Sequence, residues 1–372
     1  MERPEIKLAH LMPPAARALL AGKGEEVIRQ VGLDVIRGTV YKVLCGENLR
    51  DSTELITRKR LATINAATMV MFLRGQSQSN RFAGDLPSIA ATGLKHKPKG
   101  DERQILQWLL GLTNKASQNV LRDSTENDLD RYKDGYIKAC QEVVSACQSD
   151  YGQLTGSLQL SPSEKAEINW GFIVELLQTV GAQTLAIRGS EKSTYGKLFE
   201  RLILGSLLSI LGFKLIPKDN ILNPRKVFWL TSAGNKRESD ATLLYEAGKG
   251  VRFDIGFIGR GNPEISLDKV SRFEREIELG NAKWYMATII LVDTIGKGSR
   301  IAKMAEAING SIIQMSMTCW PKLVAVELHN KIGLNHELTN MPDRKVPGYL
   351  QRRVSQLPLD TFIAKVSARP KG

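Results

Sequence analysis

Apolar positions in the first 150 residues recur every three to four places, the spacing of amphipathic helices. The pattern predicts helices over Ala15–Ala21, Glu25–Leu44, Thr53–Leu73, Glu102–Leu121 and Leu129–Gln148. Asp51, three residues before Glu54, gives the third a capping-box-like start. Met69-Val70-Met71-Phe72 within it reads as core. Ser79–Gly100 is rich in Ser, Gly and Pro and is expected to be a loop. Tyr151–Glu167 is polar, with turn chemistry at Ser161-Pro162-Ser163, and is expected to be a connector at the domain boundary. The expected division is therefore a helical domain over 1–165 and a second domain over 166–372.

A helix over Trp170 to about Ala186 opens the second half, and from Ser193 the pattern becomes mixed. It predicts a helix (Tyr195–Leu211), three strands (Lys226–Thr231, Ala241–Tyr245, Val251–Ile258), a helix (Pro263–Leu279), a strand (Met286–Val292) and a helix (Arg300–Ile308). Two more strand-like runs, Ser311–Met315 and Leu323–Leu328, precede a polar tail with short helices. This is an α/β (α+β) arrangement. The first helix buries a stripe of Phe199, Leu202, Ile203, Leu207, Ile210 and Leu211, and Gly212 is a plausible stop. Glu200 sits at the edge of that stripe, where the bland reading is a surface acid.

The strand pair carries more. Val251, Phe253, Ile255 and Phe257 alternate with Arg252, Asp254, Gly256 and Ile258, so Asp254 faces away from the main apolar set. Glu246-Ala247-Gly248-Lys249-Gly250 reads as a short hairpin loop. A turn centred near Gly248 sets Asp254 opposite Thr242 and diagonal to Asp240 on one face. Diagonal neighbours lie ~7–8 Å apart, and two aspartates at that separation can share one Mg²⁺. The alternative is that Asp240 caps a turn and Asp254 is a solvated strand residue, although Asp is disfavoured inside strands. Next, Gly259-Arg260-Gly261-Asn262-Pro263 supplies an N-cap (Asn262), a first-turn proline and glycines that let a backbone approach a phosphodiester. The helix after it carries Lys269 and Arg272. Asp268 and Arg272 form an i, i+4 pair, while Lys269 can turn toward the two aspartates.

Charge adds a partner class. Fifty-two basic against 39 acidic residues give a net +13, spread through the chain without Lys/Arg tails. That points to a polyanion gripped by a folded surface, with Arg260, Asn262 and Arg272 as candidate DNA contacts. Arg58-Lys59-Arg60 and Lys95, Lys97 and Lys99 can also touch phosphate or simply be solvated. No run approaches the ~20 apolar residues of a membrane span, and MERPEIKLAHLMPP has no apolar signal core. The four scattered cysteines read as reduced thiols, so a cytoplasmic, bacterial setting without membrane association is expected. Neither His329-Asn330 with Asn335-His336 nor Gly296-Lys297-Gly298-Ser299 fits the flanks of an HNH or phosphate-loop motif.

At GKLFERL, ESDATLLY and RFDIGFIGRGNPEISLDKVSRFE the chain resembles type II restriction endonucleases of the PD-(D/E)xK superfamily. VLCGENLRDSTELITRKRLA, LQWLLGLTNKASQNVLRD and IRGSEKSTYGKLFERL resemble the CfrBI-type restriction enzymes in particular. The resemblance implies a restriction-endonuclease-like αβββαβ core behind a mostly helical N-terminal half that dimerises or contacts DNA. It implies Mg²⁺ held by Asp240 and Asp254, with Glu200 assisting. It further implies a homodimer on double-stranded DNA, cutting a short palindromic site to leave 5′-phosphate ends, beside a cognate methyltransferase with no direct contact implied. The family pattern has Lys two residues after the second acid, where this chain has Gly256. Lys269 is the candidate replacement. The competing reading is a non-catalytic nucleic-acid-binding protein on a degenerate nuclease fold.

Overall fold

The computed structural model describes residues 8–20, 31–120, 126–217, 225–231, 239–256, 285–293 and 310–363. In chain order the helices begin with α1 (Leu8–Leu11), α2 (Pro14–Leu20), α3 (Leu33–Leu44) and α4 (Leu49–Gln78). Next come α5 (Phe82–Lys95), α6 (Gly100–Trp108), α7 (Asn114–Val120) and α8 (Glu126–Tyr151). A hairpin, β1 (Gly156–Ser161) and β2 (Glu164–Ile168), leads into α9 (Trp170–Ile210). The sheet strands are β3 (Lys214–Leu215), β4 (Val227–Leu230), β5 (Ala241–Glu246), β6 (Lys249–Gly256), β7 (Tyr285–Val292) and β8 (Gly310–Gln314). The chain ends with α10 (Trp320–Ile332), two 3₁₀ turns (Glu337–Asn340, Asp343–Lys345), α11 (Val346–Ser355) and α12 (Leu359–Ile363).

Two compact units result. One draws on the described residues of Met1–Gln30 and Ile56–Lys192, the other on those of Val31–Leu55 and Ser193–Gly372. Both divisions fall inside continuous helices, α4 and α9. Relative to a split at 165/166, the units exchange segments 31–55 and 166–192.

The first unit is helical apart from its hairpin. Phe72 meets Phe82 and Phe172 edge to face, at centroid distances of 6.5 and 5.8 Å. Three sequence expectations change here. Ser79–Gly100 is not a loop: Phe82, Leu86 and Ala90 recur at i, i+4, i+8 and are buried, and that apolar spacing outweighs the turn-forming composition. The connector over Tyr151–Glu167 contains the β-hairpin, closed at the Pro162-Ser163 turn. The Met69–Phe72 run is only half core, since Met69 is exposed while Met71 and Phe72 are buried. Arg60 does not meet solvent or phosphate. It is buried and donates from Nε and Nη2 to the Leu19 carbonyl, at 3.3 and 2.9 Å. Lys95 is tied to Asp130 at 2.7 Å. The segment Trp170–Gly189 has a mean hydropathy of 1.2, enough by length and composition to cross a membrane. It also carries Glu175, Thr179 and Gln183 buried in this unit, while Leu177 and Leu185 are exposed.

The second unit holds a six-stranded mixed sheet in the order β3-β4-β5-β6-β7-β8. β4, β5 and β6 run antiparallel in sequence, while β3–β4, β6–β7 and β7–β8 pair in parallel. Leu243, Val251, Phe253, Ile255, Ile289 and Leu291 share one fully buried face. The C-terminal part of α9 buries the expected stripe from Phe199 to Leu211. Gly212 ends the helix at φ +87°, with Phe213 N–H donating to the Leu208 carbonyl at 3.0 Å. At Gly205 an added β-carbon would sit 2.6 Å from the Phe362 ring of α12. Leu323–Leu328 is helix, not strand. Val324, Leu328 and Ile332 are buried at i, i+4, i+8, and Pro321 opens the first turn. The helices expected at Pro263–Leu279 and Arg300–Ile308 lie outside the described residues.

Candidate active site

β5 and β6 present the two aspartates. Their ladder pairs Ala241 with Phe253, Thr242 with Arg252 and Leu243 with Val251. Continued by one residue, it sets Asp240 directly opposite Asp254. The sequence expectation of a diagonal pair is corrected by two residues. The hairpin turns over Ala247-Gly248, with Gly248 at φ +82°, and a bulge lies between Leu244 and Glu246. A shift of two keeps both acids on one face and brings them nearer. Residues directly opposite have β-carbons ~4.5–5.5 Å apart.

A hydrogen bond fixes the pair further. Asp240 Oδ2 accepts the Ile255 backbone N–H at 3.0 Å, one residue beyond Asp254. Asp254 is only 4% exposed, which removes the reading of a solvated strand residue. A carboxylate buried to this degree must have partners to offset its desolvation. Thr242, Arg252 and Thr288 line the same face, the first and last buried. Arg252 is a cation on the Asp254 face that the sequence reading did not single out. Gly256 is buried at the end of β6, in the position where the family pattern has lysine.

The start of β5 is tied to α9. Thr231 N–H donates to the Asp240 carbonyl at 3.0 Å, and the Thr231 hydroxyl donates to the Ser239 carbonyl. Arg201, on α9, donates from Nη1 to the Thr231 carbonyl at 2.9 Å and from Nε to the Phe362 carbonyl at 3.0 Å. Burial presses the guanidinium below its usual basicity. Glu200, the residue before Arg201 on α9, is half-buried. Sequence spacing singled out Glu200 and passed over its neighbour. A basic residue next to a fully apolar stripe was the available signal.

Lys269, Arg260, Asn262 and Arg272 lie outside the described residues. No cluster of three His, Cys, Asp or Glu occurs among the described residues, so the described site is the aspartate pair. A buried carboxylate (Asp254) beside a half-buried one (Asp240) gives hard oxygen donors of the kind Mg²⁺ takes, usually with water completing its shell. The pair fits a divalent cation on that ground. The two C-terminal histidines are absorbed by structure. His336 Nε2 donates to the Ile210 carbonyl at 3.0 Å while Nδ1 accepts from Leu338 N–H at 3.2 Å. His329 Nδ1 is 3.1 Å from the Leu334 carbonyl.

Residues 33–300 match the profile of the CfrBI restriction endonuclease. The chain belongs to the CfrBI restriction endonuclease family. It is 36% identical to the type II restriction enzyme CfrBI of Citrobacter freundii over 360 residues, which is 96% of this chain and 99% of that protein. No solved structure matches significantly. The family match spans both compact units. It places the chain among site-specific deoxyribonucleases, and the mixed six-stranded sheet is consistent with a restriction-endonuclease-like fold.

Proposed function

We propose that this member of the family cuts both strands of DNA at a short palindromic site in a Mg²⁺-dependent reaction at Asp240 and Asp254. It leaves 5′-phosphate ends and acts as a homodimer. The observation that carries the reading is the opposed pair of aspartates, Asp254 buried and Asp240 half-buried and held by the Ile255 N–H. Asp240 and Asp254 hold the ion. A bound Mg²⁺ supplies a water of lowered pKa and neutralises charge building on the phosphate. Asp240 keeps its orientation through the Ile255 bond and through the Arg201–Thr231 tie behind it. Glu200 assists through the ion or its water, and Lys269 helps orient the attacking water in place of the lysine that Gly256 replaces. Arg260, Asn262 and Arg272 contact DNA. The region 1–165 carries dimer or DNA contacts, and 166–372 carries the chemistry. The expected setting is the bacterial cytoplasm, beside a methyltransferase that modifies the same site.

The test is digestion of a plasmid by purified protein with Mg²⁺ or with EDTA. Discrete fragments with ligatable 5′-phosphate ends, formed only with the metal, support the reading. An intact plasmid under every metal and salt condition favours the non-catalytic binding protein.

A further inference from the structure

The end of α8, the hairpin and the start of α9 form a surface that the chemistry above does not use. Among residues 141–168, all described, only Ala166 is buried. Val143, Cys147 and Tyr151 recur at i, i+4, i+8 along α8, with Val143 46% and Tyr151 76% exposed. The Tyr151 ring lies 6.2 Å from Trp170, and Trp170 Nε1 donates to the Gly152 carbonyl at 2.8 Å, so the stripe is fixed to the start of α9. Leu177, two turns on from Trp170, is 63% exposed, and Leu160 on β1 is 43% exposed. The hairpin is a two-stranded sheet of its own. A lone two-stranded hairpin is marginal in water and commonly gains from a covering partner.

Charge identifies the occupant. From Ala139 through Glu164 there is no Lys or Arg, in a chain of net charge +13. Lys165 is the one cation within residues 141–168, against Glu142, Asp150, Glu164 and Glu167, so the surface offers little counterion release and is a poor seat for DNA. It is instead the face on which a second chain of equal positive charge can approach with least repulsion, leaving basic faces for the duplex. Its extent suits a stable interface, which takes roughly 20–30 residues a side. Exposed Val, Leu and Tyr among Ser and Gln have the make-up of a protein interface, with the tyrosine as anchor.

We propose that residues 141–168, with Leu177, are the self-association surface of this enzyme, occupied by the same surface of a second copy. The proposal rests on the homodimer reading above and adds which face joins the two chains. An isologous contact of this kind brings Val143, Tyr151 and Leu160 of each chain to the twofold.

Sedimentation velocity and plasmid cleavage on the full chain test it. Val143→Glu/Leu160→Glu is expected to raise the dimer dissociation constant at least about 100-fold, the loss typical of two interface anchors. It should convert double-strand cleavage to slow nicking. Gln148→Glu/Gln159→Glu alters only exposed polar positions, so its fold is secure. It should weaken the dimer most at low salt, because four added carboxylates join those of Glu142, Asp150 and Glu167 at the twofold. Leu55→Glu, at a position 64% exposed and outside the surface, should remain dimeric. Dimers of unchanged strength in both double variants overturn this surface while leaving the homodimer reading intact. A wild-type chain that is monomeric alone and on its cleaved DNA overturns both. A monomer that instead binds purified cognate methyltransferase through this surface overturns the proposal as well.

Discussion

Glu175 offers the most quantitative prediction. It sits on α9 at 7% exposure, and Tyr136 donates its hydroxyl to Glu175 Oε2 at 3.0 Å. Burial pushes its carboxyl from 4.5 up to about 7, with hydrogen bonds from Tyr136 and Cys140 pulling partly the other way. The same burial lifts the Cys140 thiol to about 11 and the Tyr136 phenol far above its usual range. A carboxyl raised in the folded state contributes its full stability below the unfolded value and loses it as pH climbs to the folded one. Between pH 4.5 and 7 the first unit should lose on the order of 3 kcal/mol, with no further loss from this group above that. Glu175→Gln keeps an acceptor for Tyr136 and removes the titration. Urea unfolding at pH 5 and pH 8, followed by circular dichroism, measures both proteins. The wild type should lose stability between these pH values and the variant should gain on it by up to about 3 kcal/mol at pH 8. Parallel curves at both pH values would refute the assignment of a buried, largely protonated Glu175.

His336 should titrate in the opposite sense. Burial lowers its pKa, so the second unit should lose stability as pH falls below about 6.5, the unfolded value, and His336→Ala should flatten that limb of a pH–stability profile. Arg201→Met leaves the Thr231 and Phe362 carbonyls without their charged donor, which should cost about 2–4 kcal/mol in chemical denaturation. Where the variant folds, single-turnover cleavage should fall at least about tenfold while DNA affinity stays within about threefold, because Asp240 is displaced and the basic surface is not. DNA affinity should drop steeply with salt, with a log–log slope near −0.9 per phosphate contacted, and a flat titration would contradict the electrostatic part of the account.

The strands of the candidate site were legible because β5 and β6 combine a period-two apolar pattern with two aspartates that the pattern does not need. Their pairing was not. The two-residue turn at Ala247-Gly248 alone would set Asp240 opposite Ile255, and the one-residue bulge at Leu244/Glu246 that sets it opposite Asp254 has no clear mark in the sequence. Composition misled where it competed with spacing: Ser, Gly and Pro hid the helix at Phe82–Lys95, and β-branched residues hid the helix around Val324. The continuous α9 escaped because Gly189-Ser190 reads as a break and burial on both sides carries the helix through it. Arg201 was hidden for another reason. Its partners are backbone carbonyls remote in sequence, at Thr231 and Phe362, and no local pattern encodes them.

The most direct measurement pairs binding with single-turnover cleavage for the wild type, Asp240→Asn and Asp254→Asn on the same DNA fragment. If the opposed carboxylates hold the metal, each variant should bind DNA within a few-fold of the wild type and cut it at least about 100-fold more slowly at saturating Mg²⁺. Wild-type cleavage by either variant, with the fold intact, would contradict the claim that this pair is the catalytic centre.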